Sequence, residues 1–276
     1  MVIDLISMFS FKITAKDKKT QARIGVVTTP HGSFATPAFL AVGTQASVKG
    51  LSPEEILGTK TEIVLCNTYH LYLRPGADVI HKAGGLHKFM NWQGPIFTDS
   101  AGFQVFSLGF GIEHEVGKMV NLYGEDLVLG EQNNTEKSMV VRTKLCKIDD
   151  KGPTFVSHLD GSVHFFPPEK SIETQVKLGA DFIVCLDECT SPLHDYAYTK
   201  AAMNRTHDWE KRSVSAYKKY STKYKTDQAL FGVVQGGPFQ DLRIESAKFN
   251  AKLDIFGMAI GGALVSKDKM HDILNW

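Results

Sequence analysis

Short runs of β-branched and aromatic residues recur along the chain, each ending in a polar or glycine-rich cluster after which the text turns helical. They are Ile63–Cys66 into Asn67, Pro95–Thr98 into Asp99, Phe182–Leu186 into Asp187, Leu230–Val234 into Gln235, and Met258–Ile260 into Gly261-Gly262. Apolar runs of this length bounded by turn residues read as buried strands, and strands that alternate with helices pair in parallel. In a closed parallel barrel the residues just past each strand meet on one face, where active sites are built. The pattern predicts an enzyme of α/β class built on parallel strands.

The flanking text fills in the elements. From Phe9 to Val42 the pattern alternates and is broken by Thr29-Pro30-His31-Gly32, which predicts an N-terminal antiparallel hairpin feeding a core strand at Ala38–Val42. Ser52-Pro53-Glu54-Glu55 reads as a helix start, with Ser52 as cap, Pro53 in the first helical position and Glu55 closing a capping box. A second helix is expected from Gly76 to Ala83, stopped by Gly84-Gly85. Phe155–Leu159 and Val163–Phe166 flank Asp160-Gly161, a pair suited to a type I′ hairpin turn. Pro167-Pro168-Glu169 opens a helix that ends at Gly179, and a long helix is expected from about Tyr198 to Tyr224. That helix carries Arg205, Lys211, Arg212, Lys218, Lys219 and Lys223, a charge run that ordinarily marks a solvated face. Further helices are expected after Asp241 and from Lys267 to Trp276. Between Gly109 and Lys151 the pattern weakens, which predicts an insertion at about 110–150 within a single domain spanning 1–276.

Composition narrows the class without naming a partner. With 276 residues, 43% of them hydrophobic and 22% charged, the chain can build one substantial core. A formal net charge of +1 neither demands nor excludes a polyanionic partner. The segment Met1–Phe11 is apolar but lacks a positive n-region and a small-residue cleavage site, and no run approaches membrane-spanning length. A cytoplasmic protein with no membrane partner is expected. The four cysteines, Cys66, Cys146, Cys185 and Cys189, read as reduced thiols. Cys185-x-x-x-Cys189 has no second pair to complete a metal site, so no metal ligands are expected.

The strand ends carry the candidate chemistry. Asp99 follows an apolar strand and is itself followed by Ser100-Ala101-Gly102-Phe103, small residues that let a backbone approach a ligand. Asp99 as a mere turn cap is an equally available reading. Asp187 stands at a second strand end, and Gln235 with Gly236-Gly237 at a third. A carboxylate accepts two parallel hydrogen bonds from an amidine-like edge, while an amide or a backbone N–H donates to a carbonyl. Together such groups match a purine like guanine, and Gly261-Gly262 would add unobstructed backbone donors.

Seven ordered segments resemble one family. They are Ala41–Lys49, Asn67–Leu71, Arg74–Gly76, Asp99–Phe106, Ser157–Gly161, Leu186–Cys189 and Val234–Gly237, and they resemble the tRNA-guanine transglycosylases, also called queuine tRNA-ribosyltransferases. The likeness covers nearly the whole chain outside 109–151. It implies a (β/α)8 barrel that exchanges the wobble guanine of target tRNAs for a 7-deazaguanine in the queuosine pathway, through a covalent ribosyl-enzyme intermediate. By the same resemblance Asp99 is the catalytic acid/base, Asp187 reads the purine N1 and amine edge, Gln235 and Gly262 read its carbonyl side, and Ser100, Ala101, Gly102 and Phe103 form the floor beneath the base. Its implied partners are tRNA and guanine or a 7-deazaguanine.

Departures from the family pattern qualify these expectations. Ala101 replaces a family glycine, and Ala263 stands where bacterial members carry leucine. The sequence also stops at Trp276, ahead of the family's nucleophilic aspartate, its Cys-x-Cys-x-x-Cys…His zinc site and the last two barrel units. The expectation is therefore an incomplete barrel of about six β/α units, with no cofactor held by this chain. Such a chain would bind guanine without turnover alone, and would take a homodimer partner or a complementing C-terminal segment. A non-catalytic accessory subunit, or an inactive fragment that binds guanine or tRNA, is the alternative. A hydrolase using Asp99 and Asp187 as a carboxylate pair would need a sugar-stacking platform that the strand ends do not supply.

Overall fold

The computed structural model describes residues 8–106, 146–262 and 267–276. Three strands open the chain: β1 (Ser10–Lys16), β2 (Arg23–Thr29) and β3 (Gly32–Thr36), joined antiparallel in that order. Six more, β4 (Ala41–Val42), β5 (Val64–Cys66), β6 (Ile96–Thr98), β10 (Phe182–Val184), β11 (Ala229–Val234) and β12 (Gly257–Ile260), form a parallel sheet in the order β12-β11-β10-β6-β5-β4. Between β6 and β10 the chain adds an antiparallel sheet of β7 (Cys146–Asp149), β8 (Gly152–Val156) and β9 (Val163–Phe165). The mixed α/β class, the parallel strands and the N-terminal antiparallel element are those the pattern predicts. The expected insertion at about 110–150 lies outside the described residues except at its end, where Cys146–Asp149 pairs with β8 as regular strand.

Sequence dictates these elements locally. Helix Pro53–Gly58 begins with the predicted capping box, Ser52 Oγ accepting from the Glu55 amide and Glu55 accepting from the Ser52 amide. Helix Pro168–Leu178 ends at Gly179, whose left-handed φ of 72° suits glycine. The long helix Tyr196–Tyr224 starts two residues earlier than expected because Asp195 caps it, accepting from the Tyr198 amide. The helix Thr68–Leu73 follows the Ile63–Cys66 run as expected, whereas Leu86–Met90 was not in the periodic signal; at five residues it is too short to show one.

The Asp160-Gly161 turn differs from expectation. β8 and β9 pair at Val156↔Val163, so the loop holds six residues rather than two, and of the Asp-Gly pair only Gly161 has positive φ. Side chains set this geometry: Ser157 Oγ accepts from the Leu159 amide and Asp160 from the Ser162 amide and hydroxyl. Those local bonds replace the type I′ turn.

Burial explains the layering. Ile172 and Val176 of one helix and Ala216 of the long helix pack on Ile183, Cys185 and Leu230 of the sheet. At the N-terminal ends of the parallel strands, Phe182 is fully buried and meets the rings of Phe9, Phe34, Phe97 and Phe231 at centroid separations of 5.7–6.1 Å. The N-terminal sheet thus covers that end through Val27 and Phe34 and leaves the opposite end uncovered by it. The basic face of the long helix is largely neutralised: Arg205 pairs with Glu188, Arg212 with Glu169, Lys218 with Asp254 and Lys211 with Asp208. No helix among the described residues is long and apolar enough to cross a membrane.

Two buried carboxylates support the strands with opposite pH signatures. Asp181, just before β10, accepts from the Ile96 amide at 2.8 Å, from His31 at 2.7 Å and from His87 at 3.1 Å. Burial works against its charge, but these hydrogen bonds outweigh burial and hold the carboxyl below the usual aspartate range. A depressed carboxyl contributes stability at neutral pH that is lost as pH falls through the folded-state pKa. Asp181→Asn should therefore cost about 2–4 kcal/mol at pH 7, shrinking toward the parent below pH 4, as read by urea denaturation at both pH values. Glu210 accepts from the Val233 amide at 2.6 Å and from Asn250 at 3.3 Å, and burial pushes its carboxyl up to about 8. The folded state then binds more protons than the unfolded state, so stability declines as pH rises from about 4.5 to 8, with a slope of up to about 1.4 kcal/mol per pH unit. Glu210→Gln should flatten that decline; a parent-like slope in the variant would assign the effect elsewhere.

Candidate active site

Parallel pairing sends the C-terminal ends of β6, β10, β11 and β12 to one side of the sheet, and the candidate residues follow those ends: Asp99 after β6, Asp187 after β10, Gln235 after β11 and Gly261-Gly262 after β12. β10 stops at Val184 instead of Leu186, so Asp187 leaves an irregular segment three residues beyond its strand. Side chains far apart in the sequence meet there. Asp187 Oδ1 accepts from Ser100 Oγ at 2.8 Å, and Asp187 Oδ2 accepts from Gln235 Nε2 at 2.7 Å.

Glycine permits this approach. A Cβ on Gly102 would fall 2.5 Å from the Asp187 carbonyl oxygen and 2.7 Å from Oδ1, inside any tolerated contact. A Cβ on Gly262 would fall 2.6 Å from Gln235 Oε1, and Gly262 also holds a φ of +57°. Gln235 is buried, and its Oε1 finds no donor among the described residues.

Asp99 is held by a different set of donors. Asn67 Nδ2 and Gln104 Nε2 donate to Oδ2 at 2.6 and 3.0 Å, and the Thr68 and Ala101 amides donate to Oδ1 at 2.8 and 3.4 Å. The Thr68 hydroxyl also donates to the Asp99 carbonyl oxygen, fixing the residue at both ends. Burial nonetheless raises the Asp99 pKa, the four N–H donors pulling the other way. Burial likewise raises Asp187, opposed by Ser100 and Gln235 and reinforced by the nearby charge of Asp99. The site thus holds two carboxyls whose ionisation is made costly, a condition typical of reactive centres.

Of the residues predicted from sequence, Asp99, Ser100, Ala101, Gly102, Asp187, Gln235 and Gly262 converge. Phe103 stands beside them, 43% exposed. Sequence reasoning missed the roles of Asn67, Thr68 and Gln104 as supports of Asp99; the polar cluster ending the Ile63–Cys66 run was the available signal for the first two. Ala101 carries a φ of +75°, which accounts for a glycine at that position in the resembling pattern. Tyr69 Oη and His158 Nδ1 lie 3.0 Å apart, and His70 is depressed by burial and by His158 while Asp99 acts to raise it.

Among the described residues one set of three potential ligand atoms lies close enough together to hold a metal ion. His31, His87 and Asp181 offer atoms within 4.8 Å of one another, at the opposite end of the strands. The two imidazoles, however, stack at 3.5 Å with planes 15° apart. An imidazole binds a metal along a lone pair in its own plane, and near-parallel stacked planes do not share such a point. The cluster is a hydrogen-bonded strut. The four cysteines are free, and burial raises Cys66 to about 12 and Cys146 to about 11, so they are neutral thiols at physiological pH.

Comparison with known proteins agrees with the geometry. A family model described as queuine tRNA-ribosyltransferase matches residues 17–139 and 131–276. A queuine tRNA-ribosyltransferase of Herpetosiphon aurantiacus is 46% identical over 97% of this chain and 58% of its own length. Relatives of the same name from Pelotomaculum thermopropionicum (44%, over 97% of this chain and 62% of theirs) and Desulforamulus reducens (45%, over 96% and 61%) are similar. The chain spans about 60% of the length of the curated relatives it matches. It belongs to the queuine tRNA-ribosyltransferase family.

Proposed function

We propose that the chain contributes the base-recognition half of a tRNA-guanine transglycosylase site, in the cytoplasm, within a (β/α)8-type barrel of which the six parallel strands form one part. One observation carries the reading: the 2.7 Å bond from Gln235 Nε2 to Asp187 Oδ2. It sets two carboxylate oxygens and an amide nitrogen side by side. That amide nitrogen has two hydrogens, and only one is used on Asp187. The edge therefore runs acceptor, acceptor, donor, and guanine presents the complement through its exocyclic amine, N1–H and O6. Adenine presents a donor where the edge needs an acceptor, and hypoxanthine lacks the amine. A 7-deazaguanine keeps the same edge and is admitted on the same terms.

The remaining groups fit the exchange of a wobble guanine in tRNA. Phe103, exposed at the mouth, offers a stacking face for an extruded base. Asp99, pushed up by burial and ringed by N–H donors, is suited to hold or release a proton beside the base. The four cysteines of this chain are neutral thiols, three of them buried, and do not fit a zinc site. A homodimer partner or a complementing segment belongs to the same proposal.

Calorimetric titration of the purified chain with free bases tests the reading. Guanine should bind, hypoxanthine about tenfold more weakly, and adenine not detectably, since each lost or mismatched bond costs about 1–3 kcal/mol. Asp187→Asn should abolish the preference for guanine over adenine; an unchanged preference would refute the assignment. Guanine binding requires the ionised Asp187, whose pKa is raised, so affinity should fall on acidification at a pH above that of an ordinary aspartate. Affinity that grows as pH is lowered would contradict this sign.

A further inference from the structure

Arg243, in helix Gln240–Asn250, is 3% exposed yet pairs with no carboxylate among the described residues. Burial pushes its guanidinium down to about 10, so it remains a cation at neutral pH. Its donors go to backbone carbonyls instead. Nε donates to Gly237 at 2.8 Å, and Nη1 donates to Val234 at 2.9 Å and to Gly261 at 2.6 Å. Those carbonyls bracket Gln235 on both sides and directly precede Gly262. The loop and the helix also press together: a Cβ on Gly236 would lie 2.7 Å from the Arg243 amide nitrogen. Nη2 finds no acceptor among the described residues and would lie 3.6 Å from a Cβ at Gly262.

A buried cation without a counter-ion is costly, and stability alone would favour an apolar side chain there. We propose that Arg243 is the positioning residue for carbonyl-side recognition: its planar fork clamps the end of β11 to the end of β12, so that Gln235 and Gly262 address one ligand oxygen together. Only a guanidinium reaches three carbonyls in fixed directions; an ammonium is a single point of donation. The proposal rests on the guanine reading above for its ligand, but the clamp itself is a property of the ligand-free chain.

Two measurements on the full chain separate the two claims. In ligand-free protein, amide hydrogen exchange at 235–237 and 260–262 should accelerate at least tenfold in Arg243→Met and in Arg243→Lys, while amides of β5 and β6 keep parent rates. Unchanged exchange at both loops overturns the clamp, whatever the ligand does. In titrations, guanine affinity should fall about tenfold in Arg243→Lys, the loss of about one hydrogen bond. The affinity for 2-aminobenzimidazole, which keeps the adjacent amine and ring N–H donors but lacks the carbonyl, should stay at the parent value. Equal weakening of both ligands would mean a general structural role and overturn the proposal. Absence of guanine binding in the parent would refute the base-recognition reading and leave hydrogen exchange to decide the clamp.

Discussion

The seam between β6 and β10 decides what the mouth of the sheet can be. These strands are neighbours in space but separated by more than eighty residues of sequence, and their ladder consists of the single pair Phe182↔Phe97. Side chains supply the rest of the register. Asp181 exchanges bonds with Ile96 below that pair, its amide donating to the Ile96 carbonyl and its carboxylate accepting from the Ile96 amide. Above it, Thr98 donates to Gln175 and to the Phe182 carbonyl, while Gln175 takes both backbone groups of Val184. A slip of one residue would orphan all of these buried groups. Fixed register in turn sets Ser100 within 2.8 Å of Asp187.

The same seam divides labour along its length. At the end covered by the N-terminal sheet, hydrogen bonds from two histidines and an amide more than offset the burial of Asp181. At the open end, burial wins over the donors of Asp99 and Asp187, and both carboxyls are raised. A fold under selection for stability alone would not leave two groups whose burial outweighs their donors. The carboxylate whose donors outweigh burial holds the strands that present the two for which burial wins, a common relation between scaffold and site.

Much of this was legible because strand ends leave local marks. An apolar run followed by Asp99, Asp187 or Gln235 locates a residue at a strand terminus whatever the rest of the chain does, and parallel pairing then gathers the termini. The capping box at Ser52 and the glycine stop at Gly179 are equally local and were read correctly. What sequence withheld was long-range or short-lived. Asn67 and Thr68 support Asp99 across a sheet pairing, and no periodicity marks that. The six-residue loop around Asp160-Gly161 follows from side chains of Ser157 and Asp160 competing with the turn the dipeptide favours. Arg243 looks like any surface arginine on an amphipathic helix until its carbonyl partners, on two other segments, are placed around it.

Adjacent positions 101 and 102 show why small residues at the site are not interchangeable. Ala101 adopts a left-handed φ that glycine would hold without strain, at a cost of about 1 kcal/mol for a residue with a Cβ. Its methyl, though, is buried in a cluster with Tyr69, Val105, Phe155 and Phe166, and burying a methyl returns an energy of similar size. Position 101 can therefore depart from glycine. Position 102 cannot, because its Cβ would enter the space of the Asp187 carboxylate and carbonyl, where no neighbouring apolar surface offsets the collision. The first glycine in such a segment is a matter of conformation and can be traded against packing; the second is a matter of contact with the reading carboxylate, and the recognition edge exists only while that contact stays open.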